Sequence, residues 1–388
     1  MTPTSSVTGH TGSLRFAVLA AASLLIVGCS SLSTPLTTTP TTTPTPGVAT
    51  TSIAKFAYVT NTADNTISMY TISATGQWTP TSPATVATGV QPAVVTVDSQ
   101  GKFAYVSSIR DATIGMYAIN QTTGVLTPLS PATAPSGALP QDFTLHPSGN
   151  FAYSANTNDD TVTAFSVNKT TGQLKPTATV KVPGYSVASP NSVTVDPAGK
   201  FLYVVGQYVE TYSIDATTGG LIILPEKYIY AGTRPFKLTF DPTGQFAYLP
   251  DNSSSNVYEF AVNATTGTLT ALNSSPVSAG SQPAWVATDP TGKFAYVSDR
   301  FSNQISTFSL TAGTGILTPL QSDNVNSSGN PWPILFDPSG QILYVLSEGD
   351  TSGGTVTSFA TNPDGSLKNI GSVATGHTSW SFAIVPGP

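Results

Sequence analysis

The chain has 388 residues, of which only 9% are charged and 39% hydrophobic, with a net charge of −6. An acidic balance without a basic stripe excludes nucleic acid as a partner. After residue 29 no apolar run approaches the ~20 residues of a bilayer span, which excludes an integral membrane helix there.

The first 29 residues have a composition of their own. Arg15 precedes an apolar stretch from Phe16 to Val27, followed by Gly28 and Cys29. The stretch is short for a membrane span and suits the core of a signal peptide over residues 1–28. Leu25-Ile26-Val27-Gly28-Cys29 resembles a bacterial lipobox, and Cys29 is the single cysteine of the chain. A lone cysteine in an exported protein has no internal disulfide partner, so lipidation of Cys29 is the expected role. The expected location is the cell envelope, anchored to a membrane through acyl burial. Residues 29–52 are dominated by Thr and Pro and lack an apolar period, which predicts an extended spacer.

From residue 53 to the end one unit repeats seven times. Its mark is a tyrosine phrase: FAYVTN (56–61), FAYVSS (103–108), FAYSAN (151–156), FLYVVG (201–206), FAYLPD (246–251), FAYVSD (294–299) and ILYVLS (342–347). The tyrosines are spaced by 47, 48, 50, 45, 48 and 48 residues. A period of about 40–50 residues built from strand-like phrases predicts a β-propeller with one four-stranded blade per repeat. The fold class is therefore all-β, a seven-bladed propeller.

The repeat at 281–320 reads strand by strand. AWVAT forms an innermost strand, and Asp289-Pro290-Thr291-Gly292 a tight turn in which Pro presets φ and Gly accepts a positive one. KFAYVSD forms the second strand, ISTFSL the third, and ILTPL the start of the fourth after Thr314-Gly315. Each third strand carries an aromatic: Tyr70, Tyr117, Phe165, Tyr212, Phe260, Phe308 or Phe359. These are expected to pack between blades. The first repeat lacks the Pro-led strand, and the chain ends with GHTSWSFAIVPGP (376–388), whose WSFAIV (380–385) reads as that strand. The last strand should therefore pair beside 56–61 and close the ring, leaving no exposed edge.

Strand direction puts the Asp-Pro-x-Gly and Thr-Gly turns on one face and the remaining loops on the other. Arg110, Arg234 and Arg300, the three arginines after Arg15, all map to that loop face. Residues flanking the start of the innermost strands should surround the channel mouth. Arg234 and Lys237 form a cationic spot suited to a carboxylate or phosphate, which Asp142 can balance. Trp285, Trp332 and Trp380 come from successive innermost strands and are either packing between blades or a wall for a sugar ring. Candidate ligand residues are thus Arg234, Lys237, Trp285, Arg110, Arg300, Trp332 and Trp380. His377 lies on the same face without a placed partner, and His146 replaces a turn aspartate on the other face, a structural position. No metal-ligand spacing, phosphate-binding loop or Ser/His/Asp order is present, so no metal or cofactor is expected.

The tyrosine phrase, the DPTGK turn, the TTG-x-L turn and the count of seven resemble the lactonase-like seven-bladed propellers, also described as YVTN repeats, over about residues 55–386. The family includes bacterial 6-phosphogluconolactonases, a fungal muconate-lactonizing enzyme and extracellular repeat proteins of no known activity. The resemblance implies a site at the channel mouth. The family's enzymes place an Arg-His pair early in an innermost strand and a Glu in the following loop. This chain has Phe236 and Lys237 at the positions of the pair and Asn252 near the place of the Glu, so the carry-over supplies a cation and no base. His377 or Asp142 remain as proton carriers. Three functions follow as expectations. The first is an envelope module, a monomer, binding a small anionic or carbohydrate ligand. The second is a diverged lactone hydrolase, and the third a structural repeat protein.

Overall fold

The computed structural model describes residues 54–183, 189–225, 228–320, 325–326, 329–350 and 353–387. The signal-like segment, Cys29 and the Thr/Pro spacer lie outside the described residues.

The described residues form seven antiparallel sheets, as the repeat predicts. The repeat read above runs through Pro283–Thr288, Phe294–Asp299, Gln304–Leu310 and Leu317–Pro319 in that order, with Val325–Asn326 continuing the outer position. The ring closes as expected. Ser379–Pro386 pairs antiparallel with Ala54–Asn61, setting Phe56 opposite Val385, Tyr58 opposite Ala383 and Val59 opposite Phe382. We number this composite sheet blade 1 and the others 2 to 7 along the chain.

The repeated residues are the inter-blade core. All seven phrase tyrosines are 0% exposed, and every third-strand aromatic is buried. A buried phenol needs a partner for its hydroxyl. Five find it in the next blade: Tyr58, Tyr153, Tyr203, Tyr248 and Tyr296 donate to the carbonyl oxygens of Gly124, Gly219, Gly267, Gly315 and Gly365 at 2.7–3.0 Å. The link therefore runs from the second strand of one blade to the second turn of its neighbour. Gly124 is required for two reasons. Its φ is +74°, and a Cβ there would stand 2.4 Å from the Phe56 ring of blade 1. Gly124→Ala is expected to destabilise the ring by roughly 2–4 kcal/mol, from left-handed strain plus overpacking. The check is the melting temperature, and an unchanged value would refute the account.

The Asp-Pro-x-Gly turn is fixed by its aspartate. Asp289 accepts from the backbone N–H groups of Lys293 and Phe294 at 2.7 Å each. His146 does a related job where it replaces that aspartate. Its Nδ1 accepts from the Ser148 N–H at 3.0 Å, which leaves Nε2–H to donate to the Gly199 carbonyl at 2.8 Å. Both ring nitrogens serve the turn and the blade 3–4 contact.

Candidate functional site

The innermost strands are unequal. Four of them have six residues, but blade 4 keeps only Ser192–Val195 and blade 5 only Thr239–Phe240. Ahead of Thr239 the backbone pairs with the strands of its own blade through a single β-bridge, Pro235 to Asp251. The segment Phe236-Lys237 thus leaves the sheet, although its Pro-led pattern matches the other innermost strands. Where these strands shorten, a cavity of about 490 Å³ opens at the channel mouth. That is within the range of small-molecule sites.

Its polar wall spans blades 3, 4 and 5. The Lys237 ammonium pairs with Asp142 and donates to the Val193 carbonyl at 2.8 Å. Asp142 also accepts from the N–H groups of Phe143 and Val193, both at 2.9 Å, and is 4% exposed. A carboxylate this buried is tolerable because it is paired and hydrogen-bonded. Beside it, Asn191 Oδ1 and Ser192 Oγ are buried oxygens with no hydrogen-bond partner among the described residues, and both residues line the cavity. Both oxygens are covered, so they would meet a ligand or water only after a side-chain turn toward the cavity.

Arg234 stands on the rim, and its side chain has no partner among the described residues. Its backbone is fixed: Asp251, 0% exposed, accepts from the N–H of Arg234 at 2.7 Å and of Thr233 at 3.2 Å. Gly232 has room for no side chain here, since a Cβ would meet the Asp251 carboxylate at 2.2 Å. The loop is rigid while its guanidinium is exposed.

The apolar wall comes from four successive blades. Phe236 meets Trp332 edge-on at 4.7 Å, and Trp332 meets Trp380 at 5.1 Å. Trp285 and Trp380 are half-buried and line the cavity with Trp332, which is itself 4% exposed. The tryptophans are therefore both packing and lining.

Three candidates on the loop face do not line the cavity. Arg300 stacks 4.4 Å over the Trp332 ring and pairs with Glu348, buttressing the aromatic wall from outside. Arg110 donates through Nε to Gln91 Oε1 at 2.9 Å. His377 is bound to Asp64, ring to carboxylate at 2.7 Å and backbone N–H to carboxylate at 2.8 Å, and these bonds hold the Asp64 carboxyl below its ordinary range. Asn252 donates to the Gln282 carbonyl at 3.3 Å and braces a loop.

Gln207 and Thr233 line the cavity and were not legible as site residues. The available signal was Gly206, which breaks the phrase FLYVVG where the siblings carry Asn, Ser or Asp. Among the described residues no three His, Cys, Asp or Glu side chains gather as a metal site would require, and no helix is long and apolar enough to cross a membrane.

A closed seven-bladed propeller with an aromatic and charged cavity at one mouth of its channel defines the class. The family model described as "Lactonase, 7-bladed beta-propeller" matches residues 36–189 and 186–380, and the chain belongs to that family. No curated protein matches it in sequence. Among solved structures it is similar to a putative 6-phosphogluconolactonase from Bacteroides uniformis, with 20% identity, a TM-score of 0.74, and 86% of this chain and 99% of that one covered. A putative 6-phosphogluconolactonase from Bacteroides fragilis gives 20% identity and a TM-score of 0.73, covering 88% and 100%. The periplasmic gluconolactonase of Pseudomonas aeruginosa gives 20% identity and a TM-score of 0.71, covering 87% and 100%. At these identities the likeness establishes the fold.

Proposed function

We propose that the protein is a diverged sugar-lactone hydrolase of the cell envelope and that the channel-mouth cavity is its site. The observation that carries this reading is the polar wall. A buried carboxylate, Asp142, and an ammonium, Lys237, lie beside the unpaired oxygens of Asn191 and Ser192 in one concave space. Lactone opening needs a base to take a proton from the attacking water and a cation near the developing oxyanion. Asp142 fills the first role and Lys237 the second. The water oxygen bonds to the carbonyl carbon, the ring C–O bond then breaks, and the released ring oxygen takes a proton. Arg234 would hold an acid group of the substrate, and the tryptophans would stack on its ring. Solved relatives named gluconolactonase and 6-phosphogluconolactonase support the reaction class. The segment Phe16–Val27 with Cys29 supports export and lipid anchoring, the Thr/Pro spacer holding the ring away from the membrane.

The test is hydrolysis by the full chain of gluconolactone, 6-phosphogluconolactone and further sugar lactones, above the spontaneous rate. Asp142→Asn is expected to lower kcat/KM by about 100-fold or more. Arg234→Ala is expected mainly to raise KM for acid-bearing lactones. Absence of turnover by the unaltered chain across the panel would overturn the hydrolase reading.

A second reading, an envelope binding module for an anionic sugar, has its own observation in favour. Asp142 and Lys237 are committed to each other and to Val193, while His377 is held by Asp64 outside the cavity. Saturable binding of a sugar acid without turnover would favour this reading.

A further inference from the structure

Resting on the sugar-acid reading of the cavity, we propose that the site extends outward onto a tyrosine platform and takes an oligosaccharide, with its acid-bearing terminal unit in the cavity and the next sugar ring on the tyrosines. The platform is Tyr208, Tyr228 and Tyr230. The rings of Tyr208 and Tyr228 lie 4.5 Å apart, and those of Tyr208 and Tyr230 6.3 Å apart. Tyr228 is 39% exposed and Tyr230 60%. In a chain whose other aromatics are mostly buried between blades, two exposed tyrosines ringed about a half-buried third, Tyr208, call for a reason.

The trio is held in place by the backbone. Val209 and Ile229 exchange N–H to carbonyl bonds at 2.9 and 3.1 Å, and the three tyrosines flank that bridge. Aromatic side chains fixed by such a bridge offer large faces with little ordering entropy to lose on binding. Tyrosine suits a sugar because it presents an apolar face for C–H groups and a hydroxyl for hydrogen bonds.

The platform and the cavity share an edge at two points. Thr233 lines the cavity, and its Oγ1 lies 3.4 Å from the Tyr230 hydroxyl. Gln207 lines the cavity and directly precedes Tyr208. Arg234 follows Thr233 on the same rim, so a carboxylate bound there sits beside the platform. A single sugar acid in the cavity would leave the tyrosines uncovered, whereas a linked ring leaving past Thr233 would meet them.

The test is calorimetric binding of aldonic acids of increasing length to the full chain. The probes are gluconate, cellobionate and cellotrionate, with the α-linked series maltobionate and maltotrionate. Affinity is expected to rise about ten-fold from gluconate to the longer acids in one of the two series. Tyr230→Ala and Tyr228→Ala should remove that gain and leave gluconate binding unchanged, while Arg234→Ala weakens every acid. Equal affinity for all lengths in both series, or a length gain that survives both tyrosine changes, overturns the extension and leaves the cavity reading standing. No binding of any probe overturns both.

Discussion

A chain ending at Gly376 is expected to lose its cooperative unfolding transition. The truncation removes Ser379–Pro386, the innermost strand of blade 1, and with it the register that sets Phe56, Tyr58 and Val59 opposite Val385, Ala383 and Phe382. Phe382, Ala383 and Val385 are all buried, and full burial of a large apolar side chain contributes about 1.5–3 kcal/mol. The cut also exposes Ala54–Asn61 as an open sheet edge, a template for aggregation. The summed loss approaches the ~5–15 kcal/mol that holds a typical fold together. The measurement is denaturant unfolding followed by tryptophan fluorescence and far-ultraviolet circular dichroism, with gel filtration for association. A midpoint and slope equal to those of the full chain would show that the terminal strand does not close the ring. A milder probe keeps the strand. Phe382→Ala leaves a gap against Trp78, whose ring lies 5.9 Å away, and should cost about 3–5 kcal/mol.

The fold was legible because its determinants are local and repeated. Each tyrosine phrase marks a strand, each Asp-Pro-x-Gly a turn whose aspartate binds its own backbone, and each third-strand aromatic a core position. The ring closure was legible because the two ends of the chain are complementary fragments of one repeat. The site was legible only as a neighbourhood. Asp142 and Lys237 stand 95 residues apart and meet because blades 3 and 5 bracket the short innermost strand of blade 4. No periodicity encodes that meeting, since Phe236-Lys237 carries the pattern of a strand and leaves the sheet. Arg110, Arg300 and His377 do lie on the loop face, but each is turned to a neighbour by a contact the sequence does not announce. The glycine of the Gly-x-x-Pro approach, as at 232–235, was a missed signal. It lets the chain pass against the sixth residue of the tyrosine phrase, as Gly232 does against Asp251.

In blade 6 that same sixth position holds an acid expected to make stability depend on pH. The position is Asn61 in blade 1 and Asn156 in blade 3, where the amide nitrogen of Asn156 donates to Thr161 and Thr163 hydroxyls at 3.0 and 2.9 Å. In blade 6 it is Asp299, 0% exposed, accepting from the Ser306 hydroxyl at 2.5 Å. Burial pushes the Asp299 carboxyl up to about 7, against the opposing pull of that hydroxyl and of backbone N–H groups. Glu210 is likewise pushed up to about 7, and Glu259, 0% exposed, is pushed up as well, both by burial. An acid whose pKa is raised by folding is protonated in the native state while the unfolded chain has already ionised. Its contribution is therefore complete below the unfolded value near 4 and disappears as the pH rises through 7. For Asp299 the span from 3.8 to about 7 corresponds to about 4 kcal/mol, an order of magnitude rather than a fixed value. The carboxyls lowered by hydrogen bonds, Asp64, Asp215 and Asp364, are exposed and carry little weight in water.

The melting temperature is accordingly expected to be highest near pH 4, to fall between pH 4 and pH 7, and so to be lower at pH 8 than at pH 5. Asp299→Asn restores the residue that blades 1 and 3 use, with an amide able to donate to Ser306 where the carboxylate accepts. It is expected to raise the melting temperature at pH 8, to raise it less at pH 5, and so to flatten the profile. The converse change, Asn156→Asp, should lower stability at pH 8 more than at pH 5, because it places an acid in the same buried slot. Differential scanning calorimetry of the three proteins at both pH values decides the matter. An Asp299→Asn profile as steep as that of the unaltered chain would remove this carboxyl as the source of the slope and leave Glu210 and Glu259 to account for it.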